Sequence, residues 1–405
     1  MTTAGPSRSM PLKGLRVANF GWVWVGAVMG HFMGDMGAEV IRVESKDRPD
    51  PPRSSPPFLG EKPGMTYLSI NTFRSQFSVT LNLNQPEGIR LARDLVAQSD
   101  VVIENYRPGV MEKYGLDYTS LRALRPDIVM ISLSTAGQTG PLRHLRAFGN
   151  NLNSLAGIDS LQGYYGDRPL PVGQAIGDPF NAVTGFGALL AALRYRNQTG
   201  VGQYVDLAQW EATSATLGPP MLDYLMNHRC PGPLGNRDPV MAPHGIYRCK
   251  GEDSWVSIAV ETEEQWNAMR EAMGSPPWAI ERRFDDAYSR LRNQDELNQC
   301  IETWTRERTP WEVTNLLQGG GVAAFPCLSD GEVFVDPHFT QRGAWVSSDT
   351  AFGRKTIYGI HWKLEETPGE ITRPCPLQGQ DNDYVLHDIL GLDSDDMRRL
   401  EGAIR

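Results

Sequence analysis

The sequence predicts an α/β fold, a doubly wound large domain carrying a smaller α+β domain. Three observations lead there. Short apolar runs alternate with helical patterns through residue 206, an order that closes into a parallel sheet covered on both faces. After Glu211 the pattern changes to a Met- and Leu-rich helix, a Pro- and Gly-rich loop and paired strands. A chain of 405 residues is also too long for one compact core.

The elements follow in order. Residues 15–20 read as a buried strand, 21–26 as a turn and 27–36 as a helix apolar most of the way round. Residues 38–43 form a second strand that ends at Glu44, completing a β-α-β unit. Residues 45–64, rich in Pro and charge, predict an irregular surface loop. Residues 78–83 alternate as a strand, and 86–99 form an amphipathic helix with Ile89, Leu91, Ala92, Leu95 and Val96 on one face. Residues 101–104 and 128–133 are further buried strands. A long apolar helix spans 182–193.

In the second domain, 245–247 and 255–260 pair as strands, with amphipathic helices at 263–273 and 295–306. Gly319-Gly320-Gly321 marks a turn, and an extended return segment carries Asp336-Pro337 and Arg342-Gly343. A final helix over 394–404 is capped by Asp393 or Ser394. The expected division is a large domain over 1–206, a linker helix over 207–228, a small domain over 229–325, a return linker over 326–345, and the rest of the large domain over 346–405.

Composition removes several classes of function. A net charge of −9 argues against general affinity for nucleic acid or an anionic membrane, while leaving room for a local basic pocket. The apolar runs are too short and Gly-interrupted to span a bilayer. The polar lead-in of residues 1–9 lacks the apolar core of a signal peptide. Five scattered cysteines without a C-x-x-C suit free thiols in the cytoplasm. Seven scattered histidines without metal-ligand spacing predict no metal site.

Two places carry chemistry. Asp178, in Gly177-Asp178-Pro179-Phe180, precedes the long helix. A carboxylate at a helix entrance is stabilised as an anion and can act as a nucleophile. Asp-Pro is also an ordinary helix start, and local sequence leaves both readings open. The turn Gly21-Trp22-Val23-Trp24-Val25-Gly26 lies between strand and helix, with Glu44 placed like a ribose-binding acid. Its glycines lack G-x-G-x-x-G spacing, however, and two tryptophans crowd the place of a pyrophosphate. A nicotinamide oxidoreductase therefore loses its main support.

Taken together, several segments resemble the family III, CaiB/BaiF-type CoA-transferases. They are Pro11-Leu12-Lys13-Gly14-Leu15-Arg16-Val17, Met36-Gly37-Ala38-Glu39-Val40-Ile41-Arg42-Val43-Glu44 and Ser78-Val79-Thr80-Leu81-Asn82-Leu83. With them go Asp100-Val101-Val102-Ile103-Glu104-Asn105-Tyr106-Arg107-Pro108-Gly109-Val110-Met111, Gly137-Gln138-Thr139-Gly140-Pro141, Thr199-Gly200-Val201-Gly202-Gln203 and the closing Val385-Leu386 with Leu390-Gly391-Leu392. Each is weak alone; the ordered set, spanning nearly the whole chain, is specific.

The resemblance implies a Rossmann-like large domain and an interlocked homodimer, or pairing with a homologous subunit. It makes Asp178 the catalytic nucleophile, passing through mixed anhydrides and an aspartyl-CoA thioester. Coenzyme A and its acyl esters are then substrates, the partner is a carboxylic acid, and no tightly bound cofactor is needed. Arg74, Asn105, Tyr106, Lys113 and Arg146 would face CoA, and Arg42 and Lys46 could meet its phosphates. A glycine-containing loop near 232–239 is a candidate lid.

Two departures bear on the substrate. Phe148 stands where racemases of the family place a histidine, and a phenyl ring cannot move a proton, so transfer is preferred to racemisation or isomerisation. Trp24 stands where some transferases carry a small or amide side chain. With Trp22 it predicts an aromatic wall and a bulky or aryl-substituted acceptor such as benzylsuccinate, with succinyl-CoA a candidate donor. A half-active subunit of a hetero-oligomer is the other reading.

Overall fold

The computed structural model describes residues 9–60 and 64–404. Of the expected polar lead-in only Ser9 falls within them. The chain divides into two compact units: the described residues to Ile158 with Val172–Gly218 and those from Thr340 onward, and separately Asp159–Pro171 with Pro219–Phe339.

The first unit is built on six parallel strands: β1 (Arg16–Asn19), β2 (Glu39–Glu44), β3 (Gln76–Thr80), β4 (Val101–Glu104), β5 (Val129–Ser134) and β6 (Tyr204–Ala208), in the order β3-β2-β1-β4-β5-β6. Neighbouring residues of each strand enter opposite cores. Val17, Val40, Val101, Ile103 and Ile131 pack on one face of the sheet. Ala18, Ile41, Val102 and Met130 pack on the other. Burial on both faces explains why these strands read as continuous apolar runs.

Helices cover both faces. The chain supplies α1 (Val25–Asp35), α2 (Pro51–Ser54), α3 (Tyr67–Thr72), α4 (Pro86–Ala97), α5 (Val110–Lys113), α6 (Tyr118–Leu124), α7 (Gly149–Ala156), α8 (Ile158–Leu161), α9 (Gly177–Thr199), α10 (Gln209–Ser214) and α11 (Gly218–Asn227). Every residue of α1 is buried. Gly34 makes its close approach possible, since a Cβ there would meet the Ser75 carbonyl at 2.1 Å. On α4, Leu91, Ala92, Leu95 and Val96 are buried as the periodicity predicted.

The last residues return to this unit. A hairpin of β10 (Trp345–Thr350) and β11 (Gly353–Tyr358) pairs antiparallel. Asp381 Oδ2 accepts from Ser78 N–H (2.8 Å) and Asn382 Oδ1 from Thr80 N–H (2.9 Å), so the tail covers the open edge of β3. Asp393 caps α18 (Ser394–Arg399) by accepting from the N–H groups of Asp395 and Asp396.

Within the expected surface loop of 45–64, of which 61–63 lie outside the described residues, positions 50–53 depart from that expectation. The segment holds the short helix α2, in which Pro52 and Arg53 are buried. Arg53 makes two 2.7 Å bonds to Glu44, and the guanidiniums of Arg42 and Arg53 lie 4.1 and 4.9 Å from the Phe73 ring centroid. Charges that satisfy one another can enter the interior, and composition does not reveal that pairing.

The second unit contains the antiparallel strands β7 (His244–Arg248), β8 (Trp255–Ala259) and β9 (Ala323–Pro326). Around them lie α12 (Glu263–Ala272), α13 (Ala287–Arg292), α14 (Gln294–Thr305) and α15 (Pro310–Gly319), over a core that includes Val256, Ile258, Trp266 and Leu317. The expected extended return segment is instead partly helical, as α16 (Asp330–Val335) and α17 (Pro337–Gln341). Ser329 and Glu332 form a capping box that starts α16, an S-x-x-E signal present in the sequence. The loop 232–239 is tied down within this unit: Gly235 N–H donates to the Gly163 carbonyl (3.1 Å), and the Arg237 guanidinium lies 3.8 Å from the Tyr165 ring centroid.

Candidate active site

In a doubly wound sheet the loops after the strands diverge where the strand order reverses, and a crevice opens there. Here the reversal falls between β1 and β4. A cavity of about 730 Å³ occupies that place, lined by residues from the carboxyl ends of all six strands: Trp22 and Val23, Arg42 to Ser45, Leu81 to Asn84, Asn105 to Pro108, Ser134 with Thr135, and Gln209. The starts of α7 and α9 add Phe148, Gly149, Leu152 and Asp178.

The turn after β1 is fixed from the strand beside it. Asn105 Oδ1 accepts from Trp22 N–H and its amide donates to the Trp22 carbonyl, both at 2.7 Å. Asp50 accepts from Val23 N–H through Oδ1 (2.8 Å) and from Arg42 through Oδ2. These bonds hold Val23 at φ 65°, a left-handed conformation that a β-branched residue rarely adopts. The reversal sends the two indoles apart. Trp22 lines the cavity under the Arg48 guanidinium, 4.1 Å from its ring centroid. Trp24 packs instead on the core beneath α1, so the expected two-tryptophan wall is corrected to one.

Asp178 does not cap its helix. It lies in the first turn of α9 and makes no side-chain capping bond, because Ile176 before the helix already has helical φ −62° and ψ −33°. Burial alone pushes its carboxyl up to about 6, opposite to the acidifying influence expected from a helix entrance. Gly149 accommodates it: a Cβ there would lie 2.3 Å from Asp178 Oδ2 and 2.5 Å from Ala175 Cβ.

Of the residues singled out in the sequence, Trp22, Arg42, Asn105, Tyr106, Arg146, Phe148 and Asp178 share this cavity. Four do not. Arg74 is buried elsewhere, its guanidinium on Asp35 (2.9 Å) and the Tyr358 carbonyl (2.7 Å). Lys46 is exposed beside the lining residue Ser45. Lys113 is exposed, with its ammonium 5.4 Å from the Tyr114 ring centroid. Trp24, half-buried, packs against the core.

The structure adds Arg48, Arg107 and Arg143, which with Arg42 and Arg146 make a basic wall. Arg107 sat inside the Asn105-Tyr106-Arg107-Pro108-Gly109 segment and was legible there; Arg48 and Arg143 carried no local signal. Arg42 is 1 % exposed; its Nε lies 3.9 Å from Glu44 Oε1, and neither Nε nor Nη1 has a hydrogen-bond partner among the described residues. Glu44 is committed to Arg53 and to the Ser78 hydroxyl (2.6 Å), so the acid placed for a ribose is already satisfied. Among the described residues no histidine lines the cavity and no cluster suits a metal ion. No described helix is long and apolar enough to cross a membrane.

A carboxylate and a basic wall at the switch point of a doubly wound sheet are parts that suit an enzyme handling an anionic thioester. The chain belongs to CoA-transferase family III, whose sequence profile matches residues 12–382. It is a CoA-transferase.

Two relatives from Chloroflexus aurantiacus are each 32 % identical to it. The succinyl-CoA–L-malate CoA-transferase alpha subunit aligns over 99 % of this chain and 94 % of its own length. The succinyl-CoA–D-citramalate CoA-transferase aligns over 99 % of both. The succinate–glutarate CoA-transferase of Agrobacterium fabrum is 32 % identical over 95 % of this chain and 97 % of its own. Among solved structures, a CaiB/BaiF family protein from Brucella suis superposes with a TM-score of 0.86 at 28 % identity, over 94 % of this chain and 100 % of that one.

Proposed function

We propose that this enzyme moves CoA from succinyl-CoA to a dicarboxylic acid, with Asp178 as the nucleophile. The single observation that carries the mechanism is a half-buried, desolvated carboxylate in an arginine-lined cavity that also has room for an acyl group. The carboxylate attacks the donor thioester carbonyl, giving a mixed anhydride and CoA thiolate. The thiolate attacks the aspartyl carbonyl, giving an aspartyl-CoA thioester and free donor acid. The acceptor carboxylate attacks that thioester and expels the thiolate, which then takes the acceptor's acyl group and restores the Asp178 carboxylate. Each step exchanges groups of similar energy, so no ATP is consumed.

Arg42, Arg48, Arg107, Arg143 and Arg146 are the groups proposed to meet the CoA phosphates. The donor and the dicarboxylate class rest on the relatives, whose names carry succinyl-CoA or succinate with malate, citramalate and glutarate. With Trp24 packed against the core and outside the cavity lining, the case for an aryl-substituted acid such as benzylsuccinate rests on Trp22 and Phe148. We place that acid in the test panel.

Assembly with a second copy or a homologous subunit is part of the proposal. It is supported by the exposed apolar side chains Met221, Leu222, Leu225 and Met226 on α11, and by the alpha and beta subunit names of two relatives. Gel filtration with light scattering tests it.

The deciding experiment incubates the protein with succinyl-CoA and a panel of acids, read by mass spectrometry. The expected results are acceptor acyl-CoA products and a CoA adduct on the peptide holding Asp178. Asp178→Ala is expected to lose at least about a thousandfold in rate and to lack the adduct. Wild-type transfer by Asp178→Ala would refute the mechanism.

A further inference from the structure

Two buried polar side chains in the cavity wall each leave an oxygen without a hydrogen-bond partner among the described residues. Ser134 ends β5, and Gln209 opens α10 one residue beyond β6, where Ser134 is in register with Ala208. The two side chains therefore arise at neighbouring strand ends. Ser134 is 3 % exposed and Gln209 8 %. Gln209 Nε2 donates to the Leu133 carbonyl (2.9 Å), which fixes the amide orientation, and its Oε1 is left without a donor. Ser134 Oγ is unpaired as well. Leaving such an atom buried and unsatisfied costs about 1–3 kcal/mol, so an adjoining pair on a cavity wall points to a ligand that satisfies both.

The pair stands on the reacting side of the cavity. A Cβ on Gly177 would lie 2.7 Å from Leu152 Cδ2 and 3.4 Å from Thr213 Oγ1, so the start of α9 rests directly on α7 and α10. Asp178 thus lies in the first turn of a helix that rests on α10, the helix Gln209 opens, and both residues line the cavity with Gly149 and Leu152.

We infer that Ser134 and Gln209 form a subsite for a hydroxyl group on the acceptor, so that the preferred acceptor is a hydroxy dicarboxylic acid. This deepens the transferase reading and rests on it. A hydroxyl is donor and acceptor at one atom: it donates to Gln209 Oε1 and accepts from Ser134 Oγ. A carboxylate is acceptor-only and cannot satisfy Oε1, and a methylene satisfies neither. Because the pair is fixed in the wall, it also selects one configuration at the hydroxyl-bearing carbon.

The test uses succinyl-CoA as donor and compares L-malate and D-malate with isotopically labelled succinate, the same acid without the hydroxyl. kcat/KM is measured for wild type, Gln209→Met and Ser134→Ala. Ser134→Ala removes an atom that has no protein partner, so the fold is kept. The expected result is a preference for one malate enantiomer, with the malate-to-succinate ratio falling about tenfold in each variant. An unchanged ratio overturns the inference, as does a rise in KM for succinyl-CoA with the ratio intact, which would assign the pair to an amide of CoA. If wild type transfers to no acid in the panel, it is the transferase reading that falls, and this subsite with it.

Discussion

Desolvation, with no neighbouring charge contributing, sets the acidity of Asp178. A carboxyl raised to about 6 is still largely ionised at pH 7, and its greater basicity makes it a better nucleophile than an ordinary aspartate. Its reactive form is the anion, so kcat/KM for the first half-reaction is expected to be flat above pH 7. It should fall about tenfold per unit below pH 6, and a profile flat down to pH 5 would exclude Asp178 as the group that titrates. Gly149 makes a second expectation. The methyl of Gly149→Ala would overlap both Asp178 Oδ2 and Ala175 Cβ, forcing the carboxylate to turn. Stopped-flow release of CoA should slow at least about a hundredfold, since an ångström of misplacement has that effect. Local sequence around Asp178 showed a helix start and nothing more. Neither the burial that sets its basicity nor the glycine seated against it is close to it in sequence.

At the scale of elements, what was legible was whatever a period of two or 3.6 can write. The first five strands and helices α1, α4 and α9 were read in the right order and type because sheet burial and amphipathic faces impose those periods, whereas β6 was not singled out. What escaped was decided by pairing between distant residues. The short helix α2 is buried because Arg53 meets Glu44, and Trp24 turns inward because of the Val23 reversal. Of the cavity, the residues next to strand ends in recognisable segments were legible; Arg48, Ser134 and Gln209 gain their meaning from the fold alone. The turn after β1 offers an element-scale test. Asn105→Ala removes both bonds to the Trp22 backbone and leaves Val23, whose strain is of order 1–3 kcal/mol, free to relax. The expected outcome in steady-state kinetics is a KM for succinyl-CoA raised about tenfold, with kcat changed less, because the altered wall is a binding surface and not the reacting carboxylate.

For the molecule as a whole, the buried acids divide into two groups with opposite effects on stability. Asp35 and Glu44 are held below the ordinary carboxylate range: burial opposes this, and His31 and Arg74 for the one, and Arg53 for the other, overcome it. Stability from these two is present above their unfolded values and is lost as pH falls through the folded ones. Glu104 and Asp50 behave in the other sense. Burial raises Glu104 to about 7, against the bonds from Ser132 and from Tyr106 N–H that lower it, and raises Asp50 to about 6 against the charge of Arg42. For these groups, and for Asp178, the folded state holds its proton longer than the unfolded chain, so stability falls as pH rises from the unfolded values near 4 through the folded ones. The contributions of these five groups together are greatest near pH 4, around their unfolded values and below the neutral range where an enzyme is ordinarily assayed. Glu104→Gln isolates the alkaline limb. The amide oxygen can still accept from Tyr106 N–H, which now donates to the carboxylate at 2.7 Å, but no charge has to be buried. Urea unfolding at pH 8 is expected to find this variant more stable than wild type by a margin on the order of 3 kcal/mol, and the two should converge at pH 4.5. A difference independent of pH would mean that Glu104 packs as a polar side chain whose ionisation is matched in the unfolded chain.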